Sequence, residues 1–108
     1  MIFDHRTYTC RPGTIATHMK LYETHGWAVQ SRHLGDPVFY GRVETGDVNS
    51  YIHIWKYESA ADRAAKRKAL QADPEWQEYL KMSAEAGYLI SQINTLLTPA
   101  SFFDATAT

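Results

Sequence analysis

The side-chain alternation is clearest at residues 50–58, SYIHIWKYE. Tyr51, His53, Trp55 and Tyr57 fall on one side of an extended chain there, and Ile52 and Ile54 on the other. The pattern predicts a strand, yet neither side is polar enough to face water alone. Ile2 to Cys10 is rich in Thr, Tyr and Phe and free of Gly and Pro, and predicts a first strand. Arg11-Pro12-Gly13 ends it in a turn. From Thr14 to His25 the period changes to that of a helix, with Ile15, His18, Met19 and Tyr22 on one face and Gly26 placed for the C-terminal cap. Residues 27–37 carry a weaker pattern that suits a short helical turn before the break at Gly35-Asp36-Pro37.

Val38 to Thr45 predicts a second strand, with Gly41 a bulge or a point of close approach. The turn-rich Gly46-Asp47-Val48-Asn49 then joins it to the strand over 50–58 as an antiparallel hairpin. Ser59 with Asp62 fits a capping box and starts a helix over 60–72. Asp73-Pro74 stops that helix and starts another, with Asp73 as N-cap and Pro74 at the first position. Trp76, Tyr79, Leu80 and Ser83 share one face of the second helix. After Gly87, YLISQINTLL (88–97) predicts a last strand with Gln92 and Asn94 on one side. In the tail from Pro99, Phe102 and Phe103 are expected to dock, and the small polar end (99–108 as a whole) to be partly flexible.

The order β-α-β-β-α-(α)-β predicts one domain over 1–108. Its fold class is α+β: a ferredoxin-like sandwich with a four-stranded antiparallel sheet and helices on one face. Ile52 and Ile54 are natural residues for the helix-covered side. Tyr51, His53, Trp55 and Tyr57, with Arg6 and Tyr8, then fall on the open side, a patch larger than monomers usually expose. A second copy meeting it sheet to sheet is the simplest cover, which predicts a homodimer enclosing a cavity.

Bulk properties narrow the classes. With 108 residues, a formal net charge of -1 and a pI near 6.5, the chain has no strong field for nucleic acid or an anionic membrane. No apolar run approaches the roughly 20 residues of a membrane span. The opening MIFDHRTYTC lacks the basic-then-apolar order of a leader. Cys10 is the single cysteine, which excludes an internal disulfide and suits a reducing compartment. A cytoplasmic location is expected.

The stretches RTYTCRPG (6–13), HIWKYESAADRAAKRKAL (53–70), DPEWQEYL (73–80) and SQINTLLTP (91–99) together resemble the NIPSNAP family of the dimeric α+β barrel superfamily. The run of His-x-Trp-x-Tyr, Ser-x-x-Asp-Arg and Asp-Pro-x-Trp carries the likeness. The resemblance implies the ferredoxin-like fold and a dimeric barrel. It implies little chemistry, since most members have no assigned reaction. Animal members look like mitochondrial proteins linked to organelle quality control, and no transit peptide is expected here to match them. The wider superfamily includes cofactor-free monooxygenases, haem-binding enzymes and small isomerases or lyases, a likeness of fold rather than of function. His5 stands where family members mostly carry an aliphatic residue, and by alternation it falls on the side away from Arg6.

Candidate chemistry centres on His53, whose side chain titrates near neutral pH and suits a general base or a ligand-orienting group. Arg6 and Tyr8 are further catalytic candidates, offering a guanidinium fork and a hydroxyl donor to an anionic or carbonyl group. Against these stand plainer roles: a hydrogen-bonded histidine in a dimer core, and an arginine paired with an acid. Trp55, Tyr51, Gln92 and Asn94 are expected to contact a ligand. His5, His18, His25, His33 and His53 show no metal spacing, although His18 and His25 lie seven apart on one helix, so no metal or other cofactor is assigned. Haem binding through one histidine stays open. Cys10 has no expected activator. Arg63, Lys66, Arg67 and Lys68 fit a solvated helix face. Arg63, Arg67 and Leu70 nonetheless cluster opposite Ala61, Ala65, Ala69 and Ala72, and either stripe could meet the sheet. Two functions follow: a small-molecule enzyme or binder, or an interaction protein in which the His/Trp/Tyr face only holds the dimer.

Overall fold

In the computed structural model, which describes residues 1–107, the elements run as follows: β1 (Ile2–Cys10), α1 (Ile15–His25), α2 (Trp27–Leu34), β2 (Phe39–Arg42), β3 (Ser50–Tyr57), α3 (Ala60–Ala72), α4 (Pro74–Ala86) and β4 (Leu89–Leu97). A single 3-10 turn, Ala105–Ala107, follows; Thr108, the last residue of the tail expected to be flexible, lies outside the described residues. All pairings are antiparallel and the strands lie in the order β2-β3-β1-β4, the ferredoxin-like α+β arrangement expected. Among the described residues no helix is long and apolar enough to cross a membrane.

Local chemistry sets the helix ends. Ser59 Oγ accepts from the Asp62 amide at 3.1 Å, and the Asp62 carboxylate reaches back to the Glu58 amide at 2.9 Å. The capping box therefore closes one residue earlier than the usual reciprocal bond. Asp73 caps α4 by accepting from the Glu75 amide at 2.9 Å, with Pro74 in the first turn. Between α1 and α2, a side chain on Gly26 would lie 2.8 Å from the Tyr22 ring and 3.2 Å from Tyr79, so close approach dictates glycine there.

Two elements differ in extent from the sequence pattern. Residues 27–34 form a full helix because Val29, Gln30 and Leu34 are buried between the neighbouring helices. β2 is only four residues long. Beyond Arg42 the Asp47 carboxylate accepts from the Asn49 amide and the Ser50 hydroxyl, both at 3.0 Å, and that local turn closes the connection early. At Gly41 an added Cβ would sit 2.7 Å from the Phe39 ring, so close approach, not a bulge, explains it.

The sheet lies the other way up from the expectation. Tyr51, His53, Trp55 and Tyr57 are all buried within one chain, and Ile52 and Ile54 are only half-buried. Trp55 and Tyr57 join Tyr22, Val29, Leu34, Leu70, Trp76 and Tyr79 in one core, while Tyr51 packs with Cys10 and Ile15. The helices therefore cover the aromatic side. Directly opposed residues share a face, so the uncovered side holds Phe3, His5, Thr7, Ile52, Ile54, Ile93 and Leu97, with Phe39 at the edge. The physical reason is that the aromatic side also carries Asp4, Arg6 and His53, which find hydrogen-bond partners in the protein, whereas the aliphatic side needs none. His5 belongs to the open side, not to the helix side.

The two stripes of α3 are resolved in the same way. Leu70 is 1% exposed and Arg63 and Arg67 are half-buried, whereas Ala61, Ala65, Ala69 and Ala72 face water. The basic run is not a solvated face: two of its members lay their stems across the sheet. Phe102 does not dock within the chain, being 92% exposed, and Phe103 is also exposed. Substituting Leu70→Ala is expected to lower unfolding free energy by about 2–5 kcal/mol in urea titration. Ala65→Ser should change it by no more than about 0.5 kcal/mol. The reverse ranking would overturn the orientation of α3.

Candidate functional site

Three rows of side chains cross the helix-covered face and define the site. Tyr8 stands opposite Tyr51 and Gln92; Arg6 stands opposite His53 and Asn94; Asp4 stands opposite Trp55 and Leu96. Tyr40 from β2 extends the middle row beside His53.

Asp4 has no exposure to water, and its carboxylate gathers two guanidinium groups. Arg6 Nη2 reaches it at 3.2 Å from two residues along β1, and Arg63 Nε at 3.1 Å from α3. Arg6 Nη1 donates to the Tyr8 hydroxyl at 2.8 Å. Burial works against the charge of Arg6, but Tyr8 and Asp4 together hold its pKa above the ordinary value. Arg67, one turn along α3, has no hydrogen bond or ion pair among the described residues. Desolvation, then the neighbouring Arg6 and Arg63, lowers its pKa.

His53 is fixed by Trp55. The indole N–H can only donate, and it lies 2.7 Å from His53 Nδ1. Nδ1 therefore accepts, which assigns the ring proton to Nε2. Burial first, and then Arg6, pushes the His53 pKa down to about 3, with Asp4 opposing in part. His53 is thus neutral with a donating Nε2–H, not the general base its sequence position suggested. Among the described residues Nε2 has no partner, and neither has Arg6 Nε.

Around this pair the rings are close. Tyr40 stacks on His53 with centroids 4.8 Å apart, and Tyr8 meets His53 edge-on at 4.7 Å. Desolvation raises the pKa of Tyr22, Tyr40, Tyr51 and Tyr79, the last to about 12, so each is a neutral hydroxyl at physiological pH. Tyr22 donates to Gln30, and Tyr51 pairs with His18 at 2.7 Å.

Between sheet and helices lies a cavity of about 170 Å³. Its sheet wall is Arg6, Tyr8, Tyr40, Tyr51, His53 and Gln92; α3 adds Arg67, Leu70 and Gln71; α4 adds Trp76, Tyr79, Leu80 and Ser83. Five of the sequence candidates therefore meet at one cavity: Arg6, Tyr8, Tyr51, His53 and Gln92. Trp55 holds His53 from behind, and Asn94 sits on the exposed β4, outside the wall. The cavity is lined by the sheet and helices of the single chain, not by two facing sheets. Arg67, Tyr40, Trp76, Tyr79 and the anchoring Asp4 escaped the sequence pattern. The Arg63, Arg67, Leu70 spacing and the shared face of Trp76, Tyr79, Leu80 and Ser83 were the available signals.

The remaining histidines are dispersed. His18 is buried against Tyr51, His25 is exposed on the same helix, His33 pairs with Asp73 at 2.8 Å, and His5 lies on the opposite side of the sheet. Among the described residues no three His, Cys, Asp or Glu side chains converge. Cys10 is buried, and desolvation raises its pKa, the setting of an unreactive thiol.

The family profile described as NIPSNAP matches residues 3–103. NipSnap homolog 3A of Homo sapiens is 31% identical over 100 residues, covering 83% of this chain and 40% of its own length; the chain thus spans less than half of that relative. A NIPSNAP family protein with unknown function from Agrobacterium tumefaciens superposes with a TM-score of 0.86 at 35% identity, over 95% of this chain and 91% of its own. An antibiotic biosynthesis monooxygenase superposes with a TM-score of 0.63 at 14% identity, over 93% of this chain and 99% of its own, a likeness of fold alone.

The state of His53 has a measurable consequence. In the unfolded chain the imidazole takes up a proton near 6.5, and in the folded chain not until about 3. Stability linked to His53 is therefore constant above pH 6.5 and falls as pH drops from 6.5 towards 3. His53→Gln should remove a one-proton slope in that window, about 1.4 kcal/mol per pH unit in urea titrations. Nitrogen NMR of the wild type should show His53 as the Nε2–H tautomer throughout pH 5–8; a titration midpoint within that range contradicts the assignment.

Proposed function

The chain belongs to the NIPSNAP family, and from that premise we propose that it binds or transforms a small organic molecule in the cavity between its own sheet and helices. The observation that carries this is the set of buried, unpartnered donors Arg6 Nε–H, His53 Nε2–H and Trp76 Nε1–H, on side chains that line one cavity. A buried donor without a partner costs about 1–3 kcal/mol, and three of them around one cavity favour an acceptor supplied from outside the chain. Ring walls on several sides suit a flat, weakly polar body. The alternative, an interaction protein held together by its His/Trp/Tyr face, loses support in that form, because those residues lie beneath the chain's own helices. With Cys10 reduced and buried, we place this activity in the cytoplasm.

The cavity is testable by NMR with a panel of small ring compounds. A bound compound should shift the Trp55 indole and His53 ring resonances. Ser83→Phe, which fills the cavity from α4, should abolish those shifts while far-UV circular dichroism stays unchanged. If no compound moves the two rings, or if the filled variant responds as the wild type does, the binding function fails.

We also propose that a second copy covers the open side of the sheet. Ile93 is 60% exposed there and Leu97 44%, beside the half-buried Phe3, Ile52 and Ile54. The same edge strand, β4, is exposed on both sides, with Ile90 and Leu96 uncovered by any helix. Contiguous aliphatic surface of this kind is characteristic of an isologous interface. Light scattering at micromolar concentration should give twice the mass of 12.3 kDa, and Ile93→Lys should reduce it to the single-chain value. A monomeric wild type would rule out the dimer.

A further inference from the structure

We infer that the ligand of this cavity is a small planar organic anion, a carboxylate or an enolate on a six-membered ring, held by Arg6, Arg67 and His53. The inference rests on the cavity being a binding site and adds the charge and size of its occupant.

Charge comes first. Three guanidinium groups, Arg6, Arg63 and Arg67, surround the single carboxylate of Asp4, which already bonds Arg6 and Arg63. Arg67 has no hydrogen bond or ion pair among the described residues and feels Asp4 only at a distance, yet it is half-buried and lines the cavity with Arg6. A partly desolvated charge without a contacting counter-charge is costly, and an anion in the cavity would supply that contact.

Hydrogen bonding points the same way. Arg6 and His53 are opposed residues on adjacent strands, so their side chains rise on one face. Arg6 Nη1 and Nη2 are taken by Tyr8 and Asp4, and His53 Nδ1 is taken by Trp55. Each Nη keeps a second N–H, but the nitrogens of this pair left with no partner at all are Arg6 Nε and His53 Nε2, and both are buried. Two donors without an acceptor call for an oxygen with more than one lone pair, and an ionised oxygen makes the stronger, shorter bonds. No phenol of the wall is ionised, and the negative charge beside the cavity is that of Asp4, which Arg6 and Arg63 engage.

Size and shape complete the class. About 170 Å³ is close to the roughly 150 Å³ of an apolar cavity that takes up benzene, room for one ring with a short acidic substituent. Tyr40, lying nearly parallel to the His53 ring at 25°, and the edge-on Tyr8 make walls that suit a flat body.

Benzoate, benzamide and benzyl alcohol share one ring and differ in charge, so titrating each against the full chain, with Trp55 indole shifts as readout, separates the possibilities. Benzoate should bind at least about tenfold tighter than benzamide, the scale of one charge-assisted hydrogen bond. In Arg67→Gln that preference should shrink to about twofold or less, and Arg67→Lys should restore most of it. Equal or tighter binding of the neutral pair overturns the anion while leaving the cavity as a binding site. Binding of none of the three overturns both. A preference that survives Arg67→Gln unchanged overturns the role of Arg67. Should Arg67→Gln unfold, the wild-type ratio and the Arg67→Lys variant still decide.

Discussion

The whole arrangement hangs on a carboxylate that water cannot reach. Asp4, in the middle of the sheet face that the helices cover, is tolerated only because Arg6 and Arg63 close on it. Removing both partners would leave a buried ion unpaired, and such changes typically cost several kcal/mol. Arg63 has to come from α3, so the carboxylate selects which stripe of that helix turns inward. Once Arg63 points at the sheet, Arg67 and Leu70 follow by helical spacing, and the alanines are left for solvent. The same carboxylate holds the Arg6 fork along β1, which orients Nη1 towards Tyr8 and leaves Nε buried without a partner.

Fixed in this way, the two sides of the sheet acquire opposite chemistry. Under the helices lie aromatic rings, several of them fixed by specific pairings: Trp55 with His53, Tyr51 with His18, Tyr22 with Gln30. Bulky rings constrained by such pairings cannot close up as aliphatic side chains do, and a cavity is left among them. On the outer side Ile52, Ile54, Ile93 and Phe3 carry no polar atoms to satisfy. That side can be covered by anything apolar, including a copy of itself, whereas the inner side needs specific partners from its own helices.

This asymmetry explains what the sequence disclosed and what it withheld. Element order, the capping pair Ser59 and Asp62, and the stop-and-start at Asp73-Pro74 are local signals, and they placed α3 and α4 at their observed ends. The family followed from the same stretches. Alternation in SYIHIWKYE showed two distinct faces, but its sign depends on what each side chain bonds to across the fold. His53 and Tyr51 looked like surface aromatics because Trp55 and His18 neutralise their polarity only in three dimensions. Arg67 looked solvated for the converse reason: its spacing matches Leu70, but the buried acid that draws the helix round lies more than fifty positions away in sequence. Arg6, Tyr8, Tyr51, His53 and Gln92 were found because they share a row or a neighbouring row of the sheet, and Tyr40, Trp76 and Tyr79 were not because two further elements, β2 and α4, bring them in.

The chemistry of the cavity follows from these constraints more narrowly than the fold alone would allow. A site built for proton abstraction needs a group that is ionised or has a free lone pair near neutral pH. Here the tyrosines are held protonated by burial, Asp4 is engaged by two arginines, and the single free nitrogen of His53 carries its proton. What the chain offers is therefore donors and positive charge. Such a lining stabilises negative charge that the bound molecule already has or develops by itself. If a reaction occurs there, its base is the substrate or a solvent species, and the protein's part is to hold an oxyanion between Arg6, Arg67 and His53. The constancy of that lining across neutral pH follows from the same facts, since its histidine stays neutral, its tyrosines protonated and its arginines charged.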